Sequence, residues 1–135
     1  MEINFRTECF KDCGYNESAY PEPSIDPLDD PYIRIDIYDG NRYLGDLVMV
    51  KTKYGFWETH CSGIPHDYKG KGLGIALYKE AIKEAKKRKI KLRSSLTTSP
   101  EAIRVWKSRR LRKQYRIVKQ GNRYVVHSRR LRKNR

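Results

Sequence analysis

The sequence predicts a single domain of the mixed α/β (α+β) class spanning all 135 residues, and three observations predict it. YIRIDIYD at 32–39 alternates apolar and polar side chains, which is the pattern of a half-buried strand. Two further strand patterns follow, at 43–50 and at 55–64. A glycine-rich stretch, YKGKGLGIA at 68–76, then leads into a lysine-rich segment with helical spacing. Strands that run into a helix in this way indicate a sheet with helices packed on it.

The first two strand patterns predict a hairpin. Ile33, Ile35 and Ile37 share one face by alternation, so we expect that face to lie in the core. Gly40 and Asn41 supply the turn, because both residue types tolerate the backbone of a tight hairpin. The third strand is expected to pair with this hairpin and to lead directly into the glycine-rich stretch.

The C-terminal half predicts two helices and three strands. A helix is expected over 74–90, with one apolar stripe at helical spacing: Tyr78, Ala81, Ile82 and Ala85. The next strand, at 90–98, should lie parallel to the third strand because a helix crosses between them. A second helix over 99–110 opens with serine and proline, which favour the N-cap and the first helical position. Residues 115–119 and 123–127 predict a final hairpin.

An irregular acidic loop is predicted at 14–31, which contains four of the six prolines and has no helical period. The start of the chain has no basic region followed by an apolar stretch, so it does not resemble a secretory signal. No apolar run approaches the roughly 18 residues needed to cross a membrane. We therefore expect the protein to be kept in the cytoplasm, without membrane contact.

The glycine-rich stretch at 68–76 predicts an anion site. Its three glycines let the backbone turn sharply and expose N–H groups. The first turn of the following helix adds unpaired N–H donors and the positive end of its dipole. A phosphate or pyrophosphate suits such a site, although a flexible turn without a ligand gives the same pattern. The P-loop and Rossmann patterns do not match, because no Gly-Lys-Ser/Thr triplet occurs and the third glycine comes too early.

Charge divides the chain into two unlike halves. Residues 1–67 hold 6 Lys/Arg and 13 Asp/Glu, a balance of −7, whereas residues 68–135 hold 24 and 3, a balance of +21. The predicted C-terminal tail at 128–135 carries five basic residues. This asymmetry indicates an anionic partner, so we expect contact with nucleic acid or the ribosome through the basic half. A role of the same charge in substrate binding or solubility remains an alternative.

The cysteines do not predict a disulfide framework or a metal site. Cys9, Cys13 and Cys61 give an odd count, and His60 and His66 flank the third. The paired spacings of zinc sites are missing. We therefore expect reduced thiols without a bound metal.

The run IPHDYKGKGLGIALYKEAI at 64–82 resembles the acetyl-CoA-binding segment of the GNAT N-acetyltransferase family. The family signature is Arg/Gln-x-x-Gly-x-Gly/Ala, and Lys69, Gly72 and Gly74 occupy its positions, with lysine as a basic substitute. The resemblance extends to about residue 107. It implies a mixed, mostly antiparallel sheet flanked by helices, with the acetyl-CoA loop between a central strand and a helix. It also implies that acetyl-CoA binds between the third and fourth core strands.

The resemblance also implies a set of cofactor-binding residues. Backbone N–H groups of the loop would hold the pyrophosphate, and a backbone amide near Ile64 would polarise the thioester carbonyl. The implied set is Ile64, Lys69, Gly70, Lys71, Gly72, Leu73, Gly74, Ile75, Ser99 and Trp106.

A further motif concerns the proton that the departing thiolate needs. The family pattern Asn-x-x-Ala-x-x-x-Tyr is matched by Ser99, Ala102 and Trp106. The tyrosine commonly protonates the CoA thiolate, whereas an indole N–H is not an acid near neutral pH. Tyr115 is the nearest tyrosine that follows in sequence, and it is the candidate to replace this function. Departure of the thiolate without help and absence of activity are the alternatives.

The third strand carries the candidates for the catalytic base. Glu58, His60 and Ser62 share one face by alternation. An N-acetyltransferase must take a proton from an ammonium acceptor, and a carboxylate or an imidazole can do so. The resemblance implies this role for Glu58 or His60, while the alternative is a solvated strand face. The predicted reaction is acetyl transfer to an amine on a protein, a peptide or an aminoacyl-RNA. A non-catalytic CoA-binding regulatory protein and a basic nucleic-acid-binding protein are the alternative functions.

Overall fold

A seven-stranded sheet organises the structure, which is a computed structural model. The structure describes residues 1–10, 31–52, 55–61, 63–95 and 98–130, and of residues 128–130 it describes the backbone only. The strands are β1 (Ile3–Phe10), β2 (Tyr32–Asp39), β3 (Arg42–Lys51), β4 (Phe56–Cys61), β5 (Lys91–Ser94), β6 (Tyr115–Gln120) and β7 (Arg123–Arg130). Their spatial order is β1-β2-β3-β4-β5-β7-β6. The pair β4–β5 is parallel and the other neighbours are antiparallel. The helices are α1 (Leu73–Lys87), α2 (Pro100–Lys107) and α3 (Arg109–Arg112).

The predicted N-terminal hairpin is confirmed as β2 and β3. Ile33, Ile35 and Ile37 are fully buried, and Asp39 pairs with Arg42 across the two-residue turn. Strand β1 was not predicted from the sequence, and it pairs along its whole length with β2. As an edge strand it contains exposed and half-buried residues but no fully buried one.

Helix α1 connects the parallel strands β4 and β5, as the sequence predicted. Its buried face comprises Leu73, Leu77, Tyr78, Ala81, Ile82 and Ala85, which includes the whole predicted stripe. On its outer side, Arg88 Nε donates a hydrogen bond of 2.7 Å to Glu84 Oε1. The crossover places the N-terminus of α1 at the end of β4 where the glycine-rich loop emerges.

The predicted second helix over 99–110 is in fact two helices. Ser99 is the N-cap of α2, as predicted, and accepts a hydrogen bond from the Ala102 N–H at 3.2 Å. At Ser108 the backbone is extended, and its Oγ accepts from the Leu111 N–H at 3.1 Å. A serine that caps a new helix ends the preceding one. The prediction of one continuous helix was therefore wrong at this residue.

The chain termini differ in part from the predictions. Strand β7 runs to Arg130 instead of ending at residue 127, so the predicted basic tail at 128–135 begins inside a strand. Its residues 131–135 lie outside the described chain, and so does the predicted acidic loop except for Pro31.

Cys9 is in a disulfide, contrary to the expectation of reduced thiols. Within the described residues, none of the helices combines the length and the apolar character that crossing a membrane requires.

Candidate functional site

The sheet opens between the parallel strands β4 and β5. Their pairing runs from Phe56–Lys91 to Thr59–Ser94. Beyond this point β4 continues to Cys61, paired with β3, whereas β5 ends. A pocket of about 140 Å³ lies at the opening. Its lining residues come from β4, α1 and the segment that leads into α2: Thr59, His60, Cys61, Tyr78, Ser95, Thr98, Ser99 and Ala102.

The glycine-rich loop forms the N-terminus of α1. Gly70 has φ +80° and Gly72, the N-cap residue, has φ +74°, a conformation that glycine adopts without the steric cost of a Cβ. A glycine N-cap has no side chain that could accept hydrogen bonds from the first-turn N–H groups. Those donors, beginning near Leu73, are therefore available to an anion.

An arginine from a distant part of the chain reaches this loop. A Cβ added to Gly72 would lie 2.8 Å from Nη1 of Arg110, which belongs to α3. The guanidinium therefore lies beside the N-cap residue of α1 and adds positive charge at the start of this helix. In the sequence Arg110 is one of the many cations of residues 68–135, and nothing in its local pattern links it to the loop. Gly74 serves packing instead: its Cβ would lie 3.3 Å from Cγ2 of Val105, so α1 and α2 approach closely here.

Tyr68 holds the start of the loop against the β2–β3 turn. Its hydroxyl donates a 2.7 Å hydrogen bond to Asp39, and this bond, followed by desolvation and the charge of Asp39, raises the pKa of the tyrosine. Lys71 Nζ lies 5.2 Å and the Arg42 guanidinium carbon 4.9 Å from the centroid of its ring, within the range of cation–π attraction. Lys69 is exposed on the same segment. Two lysines thus flank the turn that carries the exposed amides.

The hydrophobic members of the predicted cofactor set contribute through their backbones. The Leu73 side chain is buried, and those of Ile64 and Ile75 are half-buried. The buried side chain of Leu73 leaves only its main chain available to a ligand, and the main-chain groups of Ile64 and Ile75 are the polar groups that these residues offer. Bare amides at the start of a helix, together with nearby cations, fit a diphosphate. The donors found here are therefore suited to a diphosphate group.

The two candidates for the base have different surroundings. His60 is exposed and lines the pocket at the sheet opening. Glu58 is not one of the residues that line it. Its Oε2 accepts hydrogen bonds from Arg93 Nε at 3.0 Å and Arg123 Nη1 at 2.6 Å, and the side chains of all three residues are less than one fifth exposed. The structure brings His60, and not Glu58, to the pocket, while Ser62 lies outside the described residues.

Trp106 and Tyr115 are both core residues. The Trp106 ring is fully buried and makes an edge contact with Tyr78 at 5.1 Å and a stacked one with Tyr124 at 6.2 Å. Its indole N–H is buried without a hydrogen-bond partner in the described structure. Tyr115 is buried near Lys86, whose Nζ lies 5.8 Å from the ring centroid. Neither Trp106 nor Tyr115 lines the pocket.

Tyr78 is a functional candidate that the sequence analysis did not identify. It lines the pocket, as does the neighbouring Thr59. Burial raises the pKa of Tyr78 well above its usual value, so this hydroxyl keeps its proton at neutral pH. The sequence placed Tyr78 on the apolar stripe of α1, which is correct for its ring and gives no information about its hydroxyl.

Cys61 also contributes to the pocket wall. The residue is exposed to solvent, but neighbouring groups desolvate its thiol, and this desolvation, followed by the negative charge of Asp46, raises the pKa of the thiol to about 11. With this raised pKa Cys61 stays protonated at neutral pH, whereas the reactive form of a cysteine is the thiolate. It is therefore not equipped to act as a nucleophile in this pocket.

Comparison with known proteins bears on the fold. A scan against protein-family models gives no match, and a search of curated proteins gives none either. Among solved structures, the chain is similar to an IAA acetyltransferase from Bacillus cereus. The TM-score is 0.55, with 18% sequence identity, over 86% of this chain and 79% of that chain. The seven-stranded, mostly antiparallel sheet flanked by helices matches the GNAT-like acetyltransferase fold, which confirms the fold class predicted from the sequence.

Proposed function

We propose that the protein is an N-acetyltransferase that uses acetyl-CoA to acetylate an amine. The observation that carries the proposal is the opening of the sheet between β4 and β5, next to a helix N-terminus with a glycine cap. This arrangement joins an anion site to a pocket that contains both an imidazole and a protonated hydroxyl. The GNAT-like fold of the chain supports the proposal.

Binding of the cofactor would rest on the glycine-rich loop. The first-turn N–H groups of α1 would hold the diphosphate, while Lys69, Lys71 and Arg110 neutralise its charge. The backbone amide near Ile64 would face the thioester carbonyl, as the sequence resemblance implies. Ser99 lines the pocket as the N-cap of α2. When bound, acetyl-CoA would supply an acetyl group activated as a thioester.

The proposed proton transfers use two side chains of the pocket. His60 would take a proton from the ammonium acceptor, either directly or through water, so that the amine lone pair becomes available. Tyr78 would donate a hydrogen bond from Oη to the departing thiolate and so stabilise its negative charge. The indole N–H of Trp106 is not available for this role, because Trp106 does not line the pocket.

The first prediction concerns cofactor binding and transfer together. Acetyl-CoA should raise the melting temperature, since a ligand that binds only the folded state stabilises it by about 2.7 kcal/mol at 100 times its dissociation constant. Labelled acetyl-CoA incubated with the protein and a cell lysate should then transfer label to amines. Sorting that label into protein, RNA and small molecules would identify the acceptor class. Absence of any thermal shift at saturating acetyl-CoA would exclude the proposed function.

A second candidate function is a GNAT-like protein that binds CoA as a regulator and does not catalyse. The observation in its favour is Trp106, fully buried at the position where the family has its tyrosine. The same experiment separates the two functions. A clear thermal shift without transfer of label to any fraction would support the regulatory binder.

We further propose that the protein binds a polyanionic partner, namely RNA, either free or within a ribosome. Eight cations and no acid occur between residues 104 and 119. They are all exposed: Arg104, Lys107, Arg109, Arg110, Arg112, Lys113, Arg116 and Lys119. We expect the protein to bind RNA with an affinity that falls steeply as salt rises, because each phosphate contact releases counterions. Binding that is absent or insensitive to salt would contradict this partner.

A further inference from the structure

A second cavity lies at the opposite end of α1 from the glycine-rich loop. Its volume is about 410 Å³, within the range of ~300–1,000 Å³ that is usual for small-molecule sites. The apolar part of its wall comprises Ile82, Ala85, Ile90, Leu92 and Val126. Ile90 and Val126 are half-buried, and the other three close the inner end. The cavity thus offers an apolar interior to a ligand.

The remaining wall is cationic or polar. Lys86, Lys89 and Lys91 line the cavity together with His127, and no acidic residue is among its nine lining residues. Lys86 Nζ donates a 3.3 Å hydrogen bond to the His127 carbonyl oxygen, which holds this lysine at the rim. An apolar interior with several amines beside it is complementary to an apolar chain that carries a negative head group.

The backbone at Lys89 indicates that this lysine has a role besides ending the helix. Lys89 has φ +58°, in the position after the helix where glycine is the usual residue. The Ile90 N–H donates to the Ala85 carbonyl at 2.8 Å and the Lys89 N–H to the Lys86 carbonyl at 3.2 Å. Backbone donors thus satisfy these helix-end carbonyls without any lysine side chain. A lysine held in a strained conformation at a cavity rim is typical of a functional position.

The cavity is separate from the proposed acetyl-CoA site. Helix α1 has 15 residues, so its two ends lie about 20 Å apart at 1.5 Å per residue. The glycine-rich loop precedes the helix, and Lys89 follows it. Binding at one end can therefore be removed by substitution without touching residues of the other.

We propose that this cavity binds an amphipathic monoanion, namely an aliphatic chain that ends in a carboxylate. The chain lies against the apolar wall, and the carboxylate lies among the ammonium groups of Lys86, Lys89 and Lys91. The proposal is independent of the acetyltransferase function and adds a second ligand site to the protein.

Octanoate is the probe that tests the proposal, with acetate and octylammonium as its matched partners. Acetate keeps the charge without the chain, and octylammonium keeps the chain with the opposite charge. Isothermal titration should show saturable, one-site binding of octanoate and none of the other two compounds. Lys89→Gly should weaken octanoate binding about tenfold, the effect of losing one charge-assisted contact. It should also preserve or raise the melting temperature, because glycine removes the strain of positive φ.

Lys87→Ala is the matched control. Lys87 is an exposed cation of α1 that does not line the cavity, so its loss should leave octanoate binding unchanged. Neither variant should alter the thermal shift given by acetyl-CoA, which separates this test from that of the proposed function. The proposal is overturned if octanoate fails to saturate, if octylammonium binds equally well, or if Lys89→Gly binds octanoate like the unaltered protein.

Discussion

Gly72→Ala is expected to weaken acetyl-CoA binding at least about tenfold, which corresponds to the loss of one charge-assisted contact of ~1.5–3 kcal/mol. The new methyl group would lie 2.8 Å from Arg110 Nη1, so this guanidinium must move away from the start of α1. The end of an arginine side chain moves at little cost, and the fold should therefore survive. Gly72→Asp should abolish binding, because it also places a negative charge where a phosphate would lie. Isothermal titration with acetyl-CoA measures both effects.

Backbone strain has to be separated from this loss of contacts. Alanine at φ +74° also destabilises the fold, by about 1 kcal/mol, and a weaker fold shifts melting temperatures by itself. Gly121 provides the matched control, because it has φ +60° in the β6–β7 turn and an added Cβ there would meet no atom within 4 Å. Gly121→Ala should lose similar stability and keep its affinity for acetyl-CoA. Equal affinity in the two variants would show that the anion site lies elsewhere.

Much of the fold could be predicted because its signals are local. The alternation of Ile33, Ile35 and Ile37 and the spacing of the α1 stripe both report which face is buried. The role of Ser99 as the N-cap of α2 could equally be predicted from the sequence. The edge strand β1 was missed, although Ile3, Phe5 and Cys9 alternate with polar residues in the sequence. The helix break at Ser108 was missed. A serine caps a new helix only where the backbone is extended, and the local sequence does not report the backbone conformation at this residue.

The candidate site could be predicted most directly where the chemistry lies in the backbone. Gly70 and Gly72 were found because positive φ and bare amides are properties of a short sequence stretch. Arg110 could not be found, since its proximity to Gly72 results from the packing of α3 against the start of α1. Tyr78 shows the same limit, because helical spacing reports that its ring is buried but not that its hydroxyl lines a pocket. Long-range packing thus determines which side chains complete the site.

His60→Ala is expected to lower kcat by about 10²–10⁴-fold, the usual contribution of a general base, with a smaller change in KM. The pH–rate profile should also lose the limb that reports deprotonation of the base. His60 is exposed at the pocket, so its replacement should leave the melting temperature nearly unchanged. Steady-state kinetics over a range of pH, together with a thermal melt, would measure all three quantities once an acceptor is known.

Glu58→Gln is expected to give the opposite result, namely a loss of stability without a loss of turnover. This variant tests a choice that the sequence left open, because Glu58 and His60 share one strand face. The Glu58 carboxylate is bound by Arg93 and Arg123, and removing its charge leaves two half-buried guanidinium groups poorly paired. We expect a loss of about 1–3 kcal/mol in the free energy of unfolding with kcat largely retained. If Glu58→Gln instead removed turnover and His60→Ala did not, the base would be the carboxylate. The ion pairs with β5 and β7 would then have to open before the acceptor could be deprotonated.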